Sequence, residues 1–251
     1  MKTIFFGNGP LASDILEFLI GAGDAPVAVV VHPEDRARDL ERLLNLATSA
    51  SATIVKASDL RTPEGVQILR DKQARLGISV MFGYILKKEV LDIFPKGCVN
   101  LHPAYLPYNR GAHPNVWAII EGTPSGVTLH QIDTGIDTGP ILDQREVYVL
   151  PEDTAKTLYE KLMAEAESLF KDSWAAMKND KLKPKEQQGK GTTHRVPDLA
   201  NLDVIDLDAP TTAREVIDLL RARTFQPYPG AYFVAEDGRK IHVRLELTPE
   251  E

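Results

Sequence analysis

The segment Asn100-Leu101-His102-Pro103 and the turn-rich segment Ile132-Asp133-Thr134-Gly135-Ile136-Asp137-Thr138-Gly139 together offer an amide, an imidazole and carboxylates at the ends of elements. Those groups suit the transfer of an acyl group to an amine. An amide N–H can hold a developing oxyanion, an imidazole can take or return a proton, and a carboxylate can orient that imidazole. Gly97-Cys98-Val99 reads as the entrance of a β-strand, and a strand's period of two turns Asn100 and His102 to one face, with Val99 and Leu101 on the other. Pro103 has no N–H for a ladder, so the strand stops where these side chains emerge, at the carboxyl edge where open α/β sheets keep their ligands. Asp137 lies in a loop punctuated by Gly135 and Gly139 that can bring it to His102, and Asp133 is the rival carboxylate in the same loop.

For these residues to meet, the rest of the chain must build a sheet, and its pattern alternates strand and helix signals. Lys2 to Phe6, Val27 to Val31, Thr53 to Lys56 and Ile78 to Phe82 read as strands, the last apolar enough to be covered on both faces. Leu11 to Ile20 and Glu34 to Leu46 read as helices. Thr62 followed by Pro63 is a helix start running to about Arg75, and Lys87 to Ile93 is a short helix after the loop Tyr84-Ile85-Leu86. Asn115 to Glu121 is a brief helix closed by Gly122, and Val127 to Ile132 returns as a strand towards Asp137. Thr154 to Met177 carries Leu158, Leu162, Leu169 and Phe170 at helical spacings. Alternation of this kind predicts an α/β, Rossmann-like fold, with a mostly parallel twisted sheet and helices on both faces. Residues 1–185 form that core. Lys178 to Pro197 reads as a polar loop, and residues 186–251 add a small extension: a capping box Thr212-Ala213-Arg214-Glu215 opening a helix through Ala222, then strands Tyr232 to Val234 and Lys240 to Leu247 about the turn Glu236-Asp237-Gly238-Arg239.

Composition narrows the function. The chain has 251 residues, 43% hydrophobic and 26% charged, which is ordinary for a packed globular protein. Its net charge of −7 argues against a bulk nucleic-acid binder. The single cysteine, Cys98, excludes an intrachain disulfide and a Cys cluster for zinc, and favours a reducing compartment. No metal site is expected. The amino terminus lacks the length and cleavage signal of a secretory leader, and no apolar run reaches the roughly 20 residues that span a bilayer, so a cytoplasmic location without membrane insertion is expected. The turn Gly7-Asn8-Gly9-Pro10 leads from strand to helix, where backbone amides can cradle a phosphate. The dinucleotide fingerprint is incomplete, because Ala12 stands three positions beyond Gly9 and no clear acidic ribose ligand follows.

The blocks Asn100-Leu101-His102-Pro103-Ala104-Tyr105-Leu106-Pro107-Tyr108-Asn109-Arg110-Gly111 and Ile136-Asp137-Thr138-Gly139 resemble the folate-dependent formyltransferases. The resemblance covers roughly the first 180 residues. It implies that Asn100, His102 and Asp137 are the catalytic set and that the donor is 10-formyltetrahydrofolate, released as tetrahydrofolate. It also implies that the pterin lies against Phe82, Tyr84, Ile85 and Leu86 on one side and Ile132, Asp133, Thr134 and Ile136 on the other. The acceptor then falls to Gly7, Asn8, Gly9, Tyr105, Asn109 and Arg110. Pro140 departs from relatives that often carry Asp after Asp-Thr-Gly.

Which amine is formylated turns on the tail. Residues 186–251 hold eight Lys or Arg against twelve Asp or Glu, a net of −4, the wrong sign for gripping a phosphate backbone. The stretch Leu220-Arg221-Ala222-Arg223-Thr224-Phe225-Gln226-Pro227-Tyr228-Pro229-Gly230-Ala231-Tyr232-Phe233 resembles the tail of the sugar N-formyltransferases, as does Pro107-Tyr108-Asn109-Arg110-Gly111 with Trp117. That branch implies a nucleotide-linked amino-deoxysugar destined for surface glycans such as a lipopolysaccharide O-antigen. A homodimer through the C-terminal helix and hairpin is expected, because Tyr232, Phe233, Ile241, Val243 and Leu245 need cover. Methionyl-tRNA or glycinamide ribonucleotide formylation, and a non-catalytic folate or sugar-nucleotide binding module, are the alternatives.

Overall fold

The computed structural model describes residues 1–250. Seven strands form the main sheet: β1 (Thr3–Gly7), β2 (Ala28–Val31), β3 (Thr53–Lys56), β4 (Leu76–Val80), β5 (Cys98–His102), β7 (Gly126–Gln131) and β8 (Ile141–Glu146), with the pair β6 (Arg110–Gly111) and β9 (Thr193–His194) apart from it. Its order is β3-β2-β1-β4-β5-β7-β8. β1 through β5 pair in parallel, and β7 runs antiparallel to β5. The helices that alternate with the strands are α1 (Pro10–Gly21), α2 (Leu40–Ser49), α3 (Pro63–Asp71), α4 (Lys88–Leu91), α5 (Pro114–Glu121) and α6 (Ala155–Lys178). The mostly parallel α/β architecture is the one the alternation predicts.

Backbone packing divides the chain into two compact units. Residues 1–102, 128–144 and 166–187 form the first, which holds the parallel strands and the core of Ile4, Phe6, Ala28, Val30, Val55, Leu69, Phe82, Phe94 and Cys98. Phe6 meets Phe82 and Phe94 edge-on at 5.4 and 6.0 Å between ring centres. Burial pushes the Cys98 thiol up, which removes it as a nucleophile. Asp24, in the turn after α1, accepts from Trp174 Nε1 at 2.9 Å and Lys178 Nζ at 2.6 Å. Burial works against its charge, yet those two bonds outweigh that penalty and hold its carboxyl below the ordinary carboxylate value.

Residues 103–127, 145–165 and 188–250 lie in the second unit, where α7 (Leu199–Leu202) precedes α8 (Ala213–Arg223) and the hairpin of β10 (Tyr232–Val234) and β11 (Lys240–His242). The capping box at α8 forms as its sequence predicts: Thr212 N–H donates to Glu215 Oε2 at 2.7 Å and Glu215 N–H to Thr212 Oγ1 at 3.2 Å. Helix α8 packs on α5, and Arg221 donates to the carbonyls of Leu150 and Asp153. Trp117 stacks on His194 at 3.9 Å.

Several elements differ from the sequence reading, four of them markedly. α2 begins at Leu40 rather than Glu34, because Asp39 takes a left-handed φ of 53° and Arg38 spends its backbone on the neighbouring Asn8-Gly9 turn. β8 has no counterpart in the reading: Ile-Leu-Asp-Gln-Arg-Glu lacks alternation, as a polar, half-buried edge strand does. β11 stops at His242 instead of Leu247, and Thr193–His194 forms a strand inside the tract read as loop.

Candidate active site

Strand β5 turns Asn100 and His102 to one face, and its antiparallel partner adds a third side chain there. Register pairs Asn100 with His130 and His102 with Thr128. His130 is almost wholly buried, and its Nε2 lies 3.2 Å from Asn100 Nδ2. Its Nδ1 stands 2.8 Å from the Gln131 carbonyl, which can only accept, so Nδ1 carries a proton, and toward the Asn100 amide nitrogen, which can only donate, Nε2 is the acceptor. The Asn100 amide therefore donates one of its two hydrogens to His130, and its orientation is set. His102 stands at right angles to His130, with ring centres 6.2 Å apart.

Asp137 completes the cluster by a route that the sequence reading did not foresee. Because β7 is antiparallel, Gln131 pairs with Val99, and the loop after it leaves beside the amino-terminal end of β5. To meet His102 it must double back three residues along the strand, about 10 Å. It does so: Asp137 Oδ2 lies 3.5 Å from His102 Nε2 and Oδ1 lies 3.5 Å from His130 Nε2. The cluster thus stands on the sheet face over β5 and β7, and its carboxylate folds over from the loop. Asp133 faces its own loop, accepting from Gly135 N–H at 2.9 Å and Thr138 Oγ1 at 2.7 Å.

The remaining residues singled out by sequence divide by burial. Phe82 and Leu86 put their side chains into the core, with Tyr84 and Ile132 packed against it, so at the first two only backbone remains for a ligand. Ile85 is 78% exposed and Ile136 45% exposed, two large apolar side chains on the two loops. Thr134 is exposed beside Ile136. Exposed apolar side chains of this size are available to a ligand. At the first turn, the N–H groups of Asn8 and Gly9 are already held by the carbonyls of Val80 and Arg38, and Gly7 is the last residue of β1, paired between Val31 and Val80.

In the second unit, Asn109 is buried, its amide held by Thr123 Oγ1 at 2.9 Å and its N–H by Thr192 Oγ1 at 2.8 Å. That side chain fastens its own unit instead of facing out. Arg110 pairs in β6 and reaches the Lys190 carbonyl at 3.4 Å, and Tyr105 is half-buried beside Gly126. Among the described residues no group of three or more His, Cys, Asp or Glu could hold a metal ion, and no helix is long and apolar enough to cross a membrane.

Two members of the site were absent from the sequence reading, His130 and Gln187. His130 carried a signal, since the period of two that pairs Asn100 with His102 also pairs Thr128 with His130 on the next strand. Gln187, whose amide reaches the Asp137 loop, sits in a polar tract with no periodicity at all.

A formyl transferase family model matches residues 1–173, and the chain belongs to that family. It is a formyltransferase, and its donor is 10-formyltetrahydrofolate. A second model, an N-formyltransferase dimerization C-terminal domain, matches residues 198–249. The chain is 27% identical to a sugar N-formyltransferase from Shewanella sp., whose crystal structure matches with a TM-score of 0.85 over 99% of this chain and 98% of that one. It is 32% identical to the formyltransferase PseJ from Anoxybacillus kamchatkensis, solved with UDP-4,6-dideoxy-4-formamido-L-AltNAc and tetrahydrofolate, with a TM-score of 0.56 over 68% of this chain and 87% of that one. By sequence it is also 33% identical to the methionyl-tRNA formyltransferase of Thermodesulfovibrio yellowstonii, over 97% of this chain and 80% of that protein.

Proposed function

We propose that this protein transfers the formyl group of 10-formyltetrahydrofolate to the amino group of a nucleotide-linked amino-deoxysugar, in the cytoplasm, with Asn100, His102 and Asp137 as the catalytic set. The observation that carries the sugar acceptor is the structural match to the Shewanella enzyme over nearly the whole of both chains, tail included, at a TM-score of 0.85. The acidic tail adds a second argument, since a net of −4 over residues 186–251 repels the phosphates of tRNA.

When bound, the folate supplies an activated formyl carbon. The chain supplies the rest. The second hydrogen of the Asn100 amide is the donor for charge developing on the formyl oxygen; a fixed donor of this kind is worth roughly 100- to 1000-fold in rate. His102 takes the proton of the attacking amine, and the Asp137 carboxylate beside its Nε2 stabilises the resulting imidazolium. His130 holds the Asn100 amide in its donating orientation.

Turnover with a panel of acceptors tests the reading. Purified protein with 10-formyltetrahydrofolate should formylate one or more dTDP- or UDP-linked 3- or 4-amino sugars, read as a mass gain on the sugar, and should be unaffected by EDTA. Methionyl-tRNA formylated more efficiently than every sugar would refute the sugar acceptor while leaving the formyltransferase intact.

The same reading makes the protein a homodimer through residues 198–249. The edge strand β11 is exposed along its length, and Val234 and Ile241 are 52% and 36% exposed. Unpaired edges with apolar side chains call for a partner. A light-scattering mass of one chain at micromolar concentration would refute it.

A further inference from the structure

The loop that carries Asp137 is held in place by a side chain outside it. Gln187 Nε2 lies 2.8 Å from the Asp137 carbonyl and 2.8 Å from the Gly139 carbonyl, so each hydrogen of one amide nitrogen meets one carbonyl. The backbone held there is unusual. Asp137 adopts a left-handed φ of 52°, a region that non-glycine residues occupy at a cost and keep only when the surroundings over-determine it. Gly139 is buried against the Gln131 carbonyl so closely that a Cβ would stand 1.9 Å from that oxygen. On the other side of the loop, the Asp133 carboxylate gathers Gly135 and Thr138. The turn is thus pinned from within by Asp133 and from without by Gln187.

We propose that Gln187 is a positioning residue for Asp137: its amide fixes the carbonyls of Asp137 and Gly139, and thereby aims the Asp137 carboxylate between His102 and His130. The inference rests on the catalytic reading given above. The loop has doubled back about 10 Å along β5 to deliver that carboxylate, and with both imidazoles 3.5 Å away a small swing of the backbone breaks the approach to one or both. A misplacement of about 1 Å can cost on the order of 100-fold in rate.

The test compares Gln187→Glu and Gln187→Met with Asp137→Asn, using whichever acceptor the wild-type protein turns over fastest. Glutamate keeps the length but turns a charged acceptor onto two carbonyls. Methionine keeps the length and loses both donors, and it carries the test should the glutamate variant fail to fold. The expected result is a fall in kcat of roughly 10- to 100-fold, with both KM values within about threefold of wild type. The acid limb of the kcat profile should also move to lower pH, because an imidazole deprived of its carboxylate gives up its proton more readily. In the Asp137→Asn background, Gln187→Met should cost little more. Wild-type kcat in both Gln187 variants beside a severe Asp137→Asn would overturn this inference alone, as would a kcat that falls only in step with the folded fraction while the acid limb stays put. A harmless Asp137→Asn would overturn it together with the catalytic reading.

Discussion

Asp137→Asn is expected to lower kcat by about three to four orders of magnitude, the scale seen when a carboxylate that stabilises a catalytic imidazolium becomes a carboxamide. Its neighbour four residues earlier should behave otherwise. Asp133 spends its carboxylate on Gly135 N–H and Thr138 Oγ1, and an asparagine there retains an oxygen to accept from them, so Asp133→Asn should stay within about tenfold of wild type. The contrast matters more than either value. Both residues share one exposed loop, and a loss of loop order would penalise them alike, whereas loss of a charge next to His102 and His130 penalises only Asp137. Single-turnover rates at saturating folate and acceptor, on proteins with matching circular dichroism, separate the two explanations. Equal losses would mean that the loop, and not the Asp137 carboxylate, is what the reaction needs.

The strand that carries Asn100 and His102 was legible because its signals are local. A strand entrance at Gly97-Cys98-Val99, a proline stop and a period of two suffice to place two side chains on one face. The parallel half of the sheet was legible for the same reason, as were the helix starts at Thr62 and Thr212, where a hydroxyl and its partner lie within one turn. What escaped is what depends on direction or on distant contacts. Nothing in Val127 to Ile132 says that it runs antiparallel, yet that direction puts His130 opposite Asn100 and sends the Asp137 loop out beside the amino-terminal end of β5.

Asn109 shows the converse. In a turn among Tyr108, Arg110 and Gly111 it looks ready for a ligand, but its amide is committed to Thr123 and its N–H to Thr192, residues that no local pattern ties to it. Gln187 meets the Asp137 loop across 50 residues of chain, and a lone glutamine in a polar tract gives no sign of that.

The pair Asn100 and His102 gives the second large effect. Asn100→Ala removes a donor whose bond strengthens only as charge develops on the formyl oxygen, so kcat should fall by about 100- to 1000-fold with both KM values little changed. His102→Ala removes the group proposed to receive the amine proton, worth on the order of 100- to 10,000-fold, and should likewise act on kcat. The two losses should not add. In the proposed mechanism both residues serve the same reacting carbon from adjacent positions on one strand face, so once either is gone the other has little left to stabilise, and the double variant should cost far less than the sum of the single free energies. Full additivity would mean that they act in separate steps. A His102→Ala protein with near-normal kcat and an intact circular dichroism spectrum would sink the mechanism, because it would leave His102 as a structural neighbour of Asp137 and move proton transfer elsewhere in the cluster, to His130 or to Asp137 itself.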